Sequence, residues 1–173
     1  DTSVSRGLGD VYKRQVIVNS GNANACTGKQ GMVDSREMLR YAESSTGSSE
    51  NSFLICSTGR IGDLLPMDRL KPGIEEVGEA ARLGANEGIE FASSILTSDT
   101  RTKTATATFV VEGKTVTIGG AAKGAGMIQP DMATMLAFLT TDIQASSKSL
   151  KSALKSVITV SYTHLTLPTT LQV

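Results

Sequence analysis

A threonine that becomes the first residue of a chain carries both halves of a nucleophilic pair. Its hydroxyl attacks, and its α-amine, with a reference pKa of about 7.7–8.0, serves as the base near neutral pH, so no histidine is required. The run Lys123-Gly-Ala-Gly-Met-Ile-Gln-Pro-Asp-Met-Ala-Thr134-Met-Leu supplies what such a threonine needs. Small Ala133 precedes it, glycines free the approaching backbone to bend, and the apolar run Met135 to Leu139 follows. Attack by the Thr134 hydroxyl on the Ala133 carbonyl gives an ester by an N-to-O shift, and water then releases Thr134 as a new N-terminus. A threonine in an apolar run is ordinarily a strand residue with a satisfied hydroxyl. The surrounding pattern must therefore carry the catalytic reading.

At 173 residues the chain suits one domain with a real core. Seventeen basic and seventeen acidic residues balance, which argues against nucleic acid or an anionic membrane as partner. No apolar run is long enough to span a bilayer, and no signal-peptide pattern opens the chain. Cys26 and Cys56 lack metal-ligand spacing and do not make a disulfide scaffold, so a reduced, cytoplasmic protein is expected.

The elements that must position Thr134 are legible in outline. Val16-Ile17-Val18 reads as a short buried strand entering an Asn/Gly-rich loop over 19–28. Asp34 is placed to cap a helix with Met38, Leu39 and Tyr41 on one face. Residues 46–51 form a polar turn, and Phe53 to Cys56 a buried strand entering Ser57-Thr58-Gly59. Pro66 and Pro72 sit where helices start. Ile74, Val77 and Ala81 make an apolar stripe, and a second short helix covers Asn86 to Leu96. Thr104 to Val111 alternates, Glu112-Gly113 signals a tight turn, and Lys114 to Ile118 alternates again, which predicts a hairpin. Met135 to Thr140 reads as a strand that buries its start. Ser147 is placed to cap a final helix with Leu150, Leu154 and Val157 inward. The pattern gives an α+β fold.

One stretch invites a false reading. Ala23 to Gln30 approaches the phosphate-binding pattern G-x-x-x-x-G-K-[ST] but lacks its first glycine. It ends in Gln30, which has no hydroxyl for magnesium, so nucleotide binding is rejected. Asn22 and Asn24 instead suit a loop whose side-chain amides satisfy backbone groups. Cys26, with no histidine partner, reads as structural.

Four ordered blocks carry a resemblance. They are Asn19-Ser20-Gly21-Asn22-Ala23-Asn24-Ala25-Cys26-Thr27-Gly28, then Ser57-Thr58-Gly59-Arg60-Ile61-Gly62, then Thr97-Ser98-Asp99-Thr100. The fourth runs from Lys123-Gly124-Ala125-Gly126-Met127 through Pro130 and Met132-Ala133-Thr134-Met135-Leu136 to Leu139-Thr140-Thr141-Asp142. Together they resemble the ornithine acetyltransferase family, the bifunctional glutamate N-acetyltransferases of arginine biosynthesis. The resemblance implies a layered α-β-β-α sandwich and self-cleavage between Ala133 and Thr134. Thr134 would then take acetyl from N2-acetylornithine and pass it to L-glutamate, releasing ornithine. It implies no cofactor, with acetyl-CoA as a possible further acetyl donor. Thr58 and Gly59 match the family's oxyanion hole, where a glycine lets a backbone N–H approach the reacting carbonyl. Lys123 and Thr97 match substrate-binding positions, and a lysine suits an α-carboxylate through charge-assisted hydrogen bonds. The expected partner is the second subunit cut from the same precursor, in a heterotetramer with two of each. The alternative is an N-terminal-nucleophile aminopeptidase of the same general fold, which would more often show serine at the cleavage point.

Residues 1–15 and 161–173 lack the period of the middle and resemble translated sequencing-adapter read-through. On that reading the partial acetyltransferase domain covers 16–160, with the first subunit ending at 133 and the second starting at 134. His164, the sole histidine, then falls in a foreign tail, which strengthens the case for the amine as base. Almost all of the second subunit is absent, so the chain alone is expected to be inactive.

Overall fold

The strand begun by Val16-Ile17-Val18 runs further than its apolar residues suggest. In the computed structural model, which describes residues 15–80, 85–124 and 135–161, β1 spans Gln15–Asn22 and takes in the start of the expected loop. It is only partly covered, with Val16 exposed, where the apolar triplet predicts burial. β1 pairs in parallel with β2, Phe53–Arg60, in a register running from Gln15↔Phe53 to Asn22↔Arg60. Parallel neighbours need a crossover connection, and helix α1, Gly28–Thr46, supplies it.

Helix α1 starts well ahead of Asp34, which is not its cap. Asp34 lies buried within the helix and accepts a hydrogen bond from Gln30 Nε2 at 2.8 Å. The glycines at 28 and 31 disguise the true start. A Cβ on Gly31 would overlap Thr27 Oγ1 and Asn24 Oδ1, so a small residue lets the helix pack on its own entry loop. At the far end Gly47 adopts a left-handed φ of 67°, and the Ser48 N–H reaches the Glu43 carbonyl at 3.0 Å, closing the last turn.

Helix α2, Met67–Ala80, begins directly after Pro66, whose carbonyl accepts from the N–H groups of Arg69 and Leu70. Pro72 lies inside this helix rather than at the start of another. It lacks the N–H that would bond the carbonyl four residues back, and the packing of neighbouring Leu70 and Ile74 holds the helix across that gap. The expected stripe is also narrower than its spacing suggests: Ile74 is buried while Val77 is 62% exposed, and Ala81 lies outside the described residues. A short helix α3, Ala85–Ser94, follows close to its expected place. The Ser20 hydroxyl on β1 donates to the Ser94 carbonyl at 2.6 Å, tying the end of α3 to the strand. Met38, Ala42, Phe53, Leu65 and Ile74 form the core where α1, α2 and β2 meet.

The alternating segment forms the expected hairpin. β3, Lys103–Val111, and β4, Lys114–Lys123, pair antiparallel around Glu112-Gly113, both at positive φ as a two-residue hairpin turn requires. β5, Leu136–Thr141, adds to β4, giving the order β3-β4-β5. Val116 is buried, whereas β3 is exposed along its whole length. Helix α4, Ser147–Ser161, is capped by Ser146 rather than Ser147: the Ser146 Oγ accepts the Ser149 N–H at 3.1 Å. Its Val157 points outward, against the expected inward face.

The chain divides into two compact units, one within Val11–Thr97 and one within Ser98–Val173. One parallel pair, one antiparallel sheet and four helices among the described residues make the fold α+β.

Candidate active site

Two of the four sequence blocks fold as a single feature. Register places Ser20 beside Thr58 and Gly21 beside Gly59 at the ends of β1 and β2. Gly59 has a φ of 131° and Gly21 a φ of 102°, values an L side chain rarely adopts. A Cβ on Gly59 would overlap the Gly21 carbonyl, so close approach of the two backbones dictates Gly59, whereas Gly21 has open space around it and is favoured by its φ alone. Beyond the strands, the Ala23 N–H donates to the Arg60 carbonyl at 2.8 Å and the Gly62 N–H to the Ala25 carbonyl at 3.0 Å. Thr58 is only 5% exposed in this setting.

Asparagine side chains brace the same loop. Asn19 Nδ2 donates to the Asn22 carbonyl at 2.9 Å, and Asn24 Nδ2 donates to the Gly31 carbonyl at 2.7 Å and to Ser35 Oγ at 2.6 Å. This is the backbone-satisfying role that the residue types suggest. Gln30, the last residue of the false phosphate motif, is instead a helical residue bonded to Asp34. Both cysteines are free thiols: Cys26 is exposed at a φ of 60°, and burial pushes the Cys56 thiol upward from its ordinary value. Among the described residues no group of histidine, cysteine, aspartate or glutamate is placed to hold a metal ion.

The other two blocks meet at the end of β4. Lys123, its last residue, is 4% exposed, unusual burial for a lysine. Asp99 is fully buried at its side chain; its Oδ1 accepts the Gly124 N–H at 2.9 Å and pairs with the Lys103 ammonium. Burial pushes the Lys123 ammonium below its ordinary pKa, and the negative charge of Asp99 pulls it partly back. Thr97, which closes the first unit, is exposed. Ala133 and Thr134 lie outside the described residues. Thr58 and Gly59 thus join the Asn19–Gly28 block, and Lys123 joins Asp99, a residue whose role its sequence context does not disclose. A carboxylate between hydroxyl residues looks like ordinary turn chemistry until its burial is known.

The profile of the ArgJ family matches residues 3–170, and the chain belongs to that family. Among curated relatives, the arginine biosynthesis bifunctional protein ArgJ of Geobacillus kaustophilus is 47% identical over 151 residues, covering 87% of this chain and 36% of the relative. The same protein of Symbiobacterium thermophilum is 45% identical over 164 residues, covering 94% of this chain and 40% of the relative. The chain therefore spans well under half the length of these proteins. Among solved structures, the ArgJ protein of Bacillus halodurans superposes with a TM-score of 0.59 at 42% identity, over 68% of this chain and 61% of that one. The ornithine acetyltransferase of Mycobacterium tuberculosis, solved with ornithine, gives a TM-score of 0.56 at 35% identity, over 66% and 60%. Among the described residues no helix is long and apolar enough to cross a membrane.

Proposed function

We propose that the full-length protein carrying this sequence is a cytoplasmic glutamate N-acetyltransferase of arginine biosynthesis that works through an acyl-threonine. The observation that carries the reading is Lys123, a buried cation at a strand end eleven residues before a threonine set to become an N-terminus. The relatives are proteins of the same pathway by name, and the Mycobacterium tuberculosis enzyme was solved in complex with ornithine.

In this mechanism the chain cleaves between Ala133 and Thr134. The Thr134 α-amine takes the proton as the Thr134 hydroxyl attacks the acetyl carbonyl of N2-acetylornithine. The tetrahedral oxyanion collapses, ornithine leaves with the proton, and acetyl stays as an ester on Thr134. The glutamate amine then attacks that ester, and N-acetylglutamate leaves with the hydroxyl restored. Thr58 and Gly59 donate to the oxyanion, where losing one donor typically costs about 2.7–4 kcal/mol of barrier. Lys123 holds the α-carboxylate common to donor and acceptor, and Thr97 adds a second contact. Acetyl-CoA fits as a further donor, because only the acetyl carbonyl reacts. The complete protein would close as a layered α-β-β-α sandwich, with two copies of each cleaved subunit.

Mass spectrometry and an acetyl-transfer assay on the full-length protein test this. A fragment beginning Thr134-Met135-Leu136 is expected, with ornithine released from acetylornithine only when glutamate is present. Thr134→Ala should abolish cleavage and transfer together. An unbroken chain with full activity would sink the mechanism, and amine release without an acceptor would make the protein a hydrolase.

A further inference from the structure

We propose that Asp99 is a positioning residue, holding the Lys123 ammonium and the Gly124 backbone in one fixed geometry at the end of β4. The inference deepens the reading of Lys123 as the substrate-carboxylate contact and rests on it. Three observations carry it. The Asp99 carboxylate has no solvent exposure, so its charge acts where little water screens it. Its Oδ1 accepts the Gly124 N–H at 2.9 Å, fixing the residue directly after Lys123, which has a positive φ of 146°. The same oxygen meets the ammonium of Lys103, on β3.

Asp99 therefore faces two cations of unequal exposure. Lys103 is 41% exposed at its side chain and keeps part of its hydration. Lys123 is nearly dry, so an unopposed positive charge there would be driven toward the neutral amine, which cannot hold a carboxylate as a charged donor. The attraction of Asp99 acts against that loss. Asp99 is the charge that acts on Lys123, and Lys103 at the start of β3 competes for the same carboxylate; β5, the other neighbour of β4, carries no titratable side chain from Leu136 to Thr141.

The two partners give opposite predictions. Asp99→Asn removes the attraction, so Lys123 should titrate at lower pH. Lys103→Gln removes a competing cation at a half-exposed site, so Lys123 should titrate at higher pH and the fold should be retained. Both are read in full-length protein labelled with 13Cε-lysine, the Lys123 signal assigned by its loss in Lys123→Arg. At a pH between the two titrations, KM for acetylornithine and for glutamate in Asp99→Asn should rise about tenfold, the loss of one charge-assisted hydrogen bond, with kcat little changed. Should Asp99→Asn not fold, the upward shift in Lys103→Gln tests the same coupling. An unmoved Lys123 titration in the folded variants overturns the proposal. A titration that moves as expected with KM unchanged supports the coupling and overturns the assignment of Lys123 to the substrate carboxylate.

Discussion

Residues 11–97 wrap a parallel strand pair with α1 and α2 and bury Met38, Ala42, Phe53, Leu65 and Ile74 in one cluster. Residues 98–173 contain a longer sheet, yet Val110, Leu139 and Val157 are all exposed, and Val116 is the only apolar residue buried below a tenth among those described there. The difference follows from connection type. A parallel pair forces a crossover helix across one face, so the first unit brings its own cover. A hairpin and a third antiparallel strand need no helix between them, so among the described residues this sheet brings no crossover helix of its own. Most of the stability should therefore sit in the first unit, while the second awaits apolar surface from elsewhere.

Met38→Ala tests that division most severely. Deleting a fully buried side chain should destabilise residues 11–97 by about 2–5 kcal/mol. Hydrogen exchange should then speed in β1 and β2 and change little in β3 and β4; equal loss in both units would show that they unfold as one. Gly59→Ala comes next. The new methyl meets the Gly21 backbone at a φ an alanine resists, for about 1–3 kcal/mol of strain. Chemical denaturation should register that loss, and acetyl transfer in the full-length protein should fall with it. An unstrained, fully active variant would remove Gly59 from the site.

Lys123 gives a smaller effect with a definite sign. Burial lowers its pKa in the folded state, so between that lowered value and 10.5 the unfolded chain binds more protons. Stability contributed by this group therefore rises with pH through that window, and the cost of burying the ammonium is fully present below it. Lys123→Met should flatten that slope in denaturation curves measured across alkaline pH, while weakening substrate binding. The slightest effect belongs to Leu139→Lys on β5. At an exposed position it should change stability by less than about 0.5 kcal/mol. It should nevertheless reduce self-association seen by light scattering, because a charge on an outer strand opposes edge pairing. Unaltered scattering would mean that β5 is not the sticky surface.

The antiparallel sheet was the more legible of the two units. Its alternation and Glu112-Gly113 turn are local signals, and they give β3 nearly to its ends and the start of β4, which runs on from the expected Ile118 to Lys123 through residues whose glycines and alanines hide the alternation. The helical unit was harder, because its boundaries depend on contacts distant in sequence. Asp34 looks like a cap from its type, yet the helix starts at Gly28 because Gly31 packs against Thr27 and Asn24. Pro72 looks like a start, but packing carries the helix through it. At the candidate site, Thr58-Gly59 and Lys123 could be picked out by motif. The facing of Gly21 and Gly59 could not, since it depends on strand register, and neither could the buried partnership of Asp99 with Gly124 and Lys103.

The pairing of β1 with β2 also sets an order of events during synthesis. β1 is made before β2, its one partner among the described residues, which begins at Phe53 on the far side of α1. At about 5–20 residues per second, several seconds pass on the ribosome before the pair can close. The hairpin of β3 and β4 joins over two residues and forms in about 1–10 μs once both strands have emerged. β1 thus waits far longer for β2 than β3 waits for β4, although β3 is translated dozens of residues later. Val16 and Ile17 pass that interval as nascent apolar surface, which makes β1 the natural contact for a chaperone at the tunnel exit.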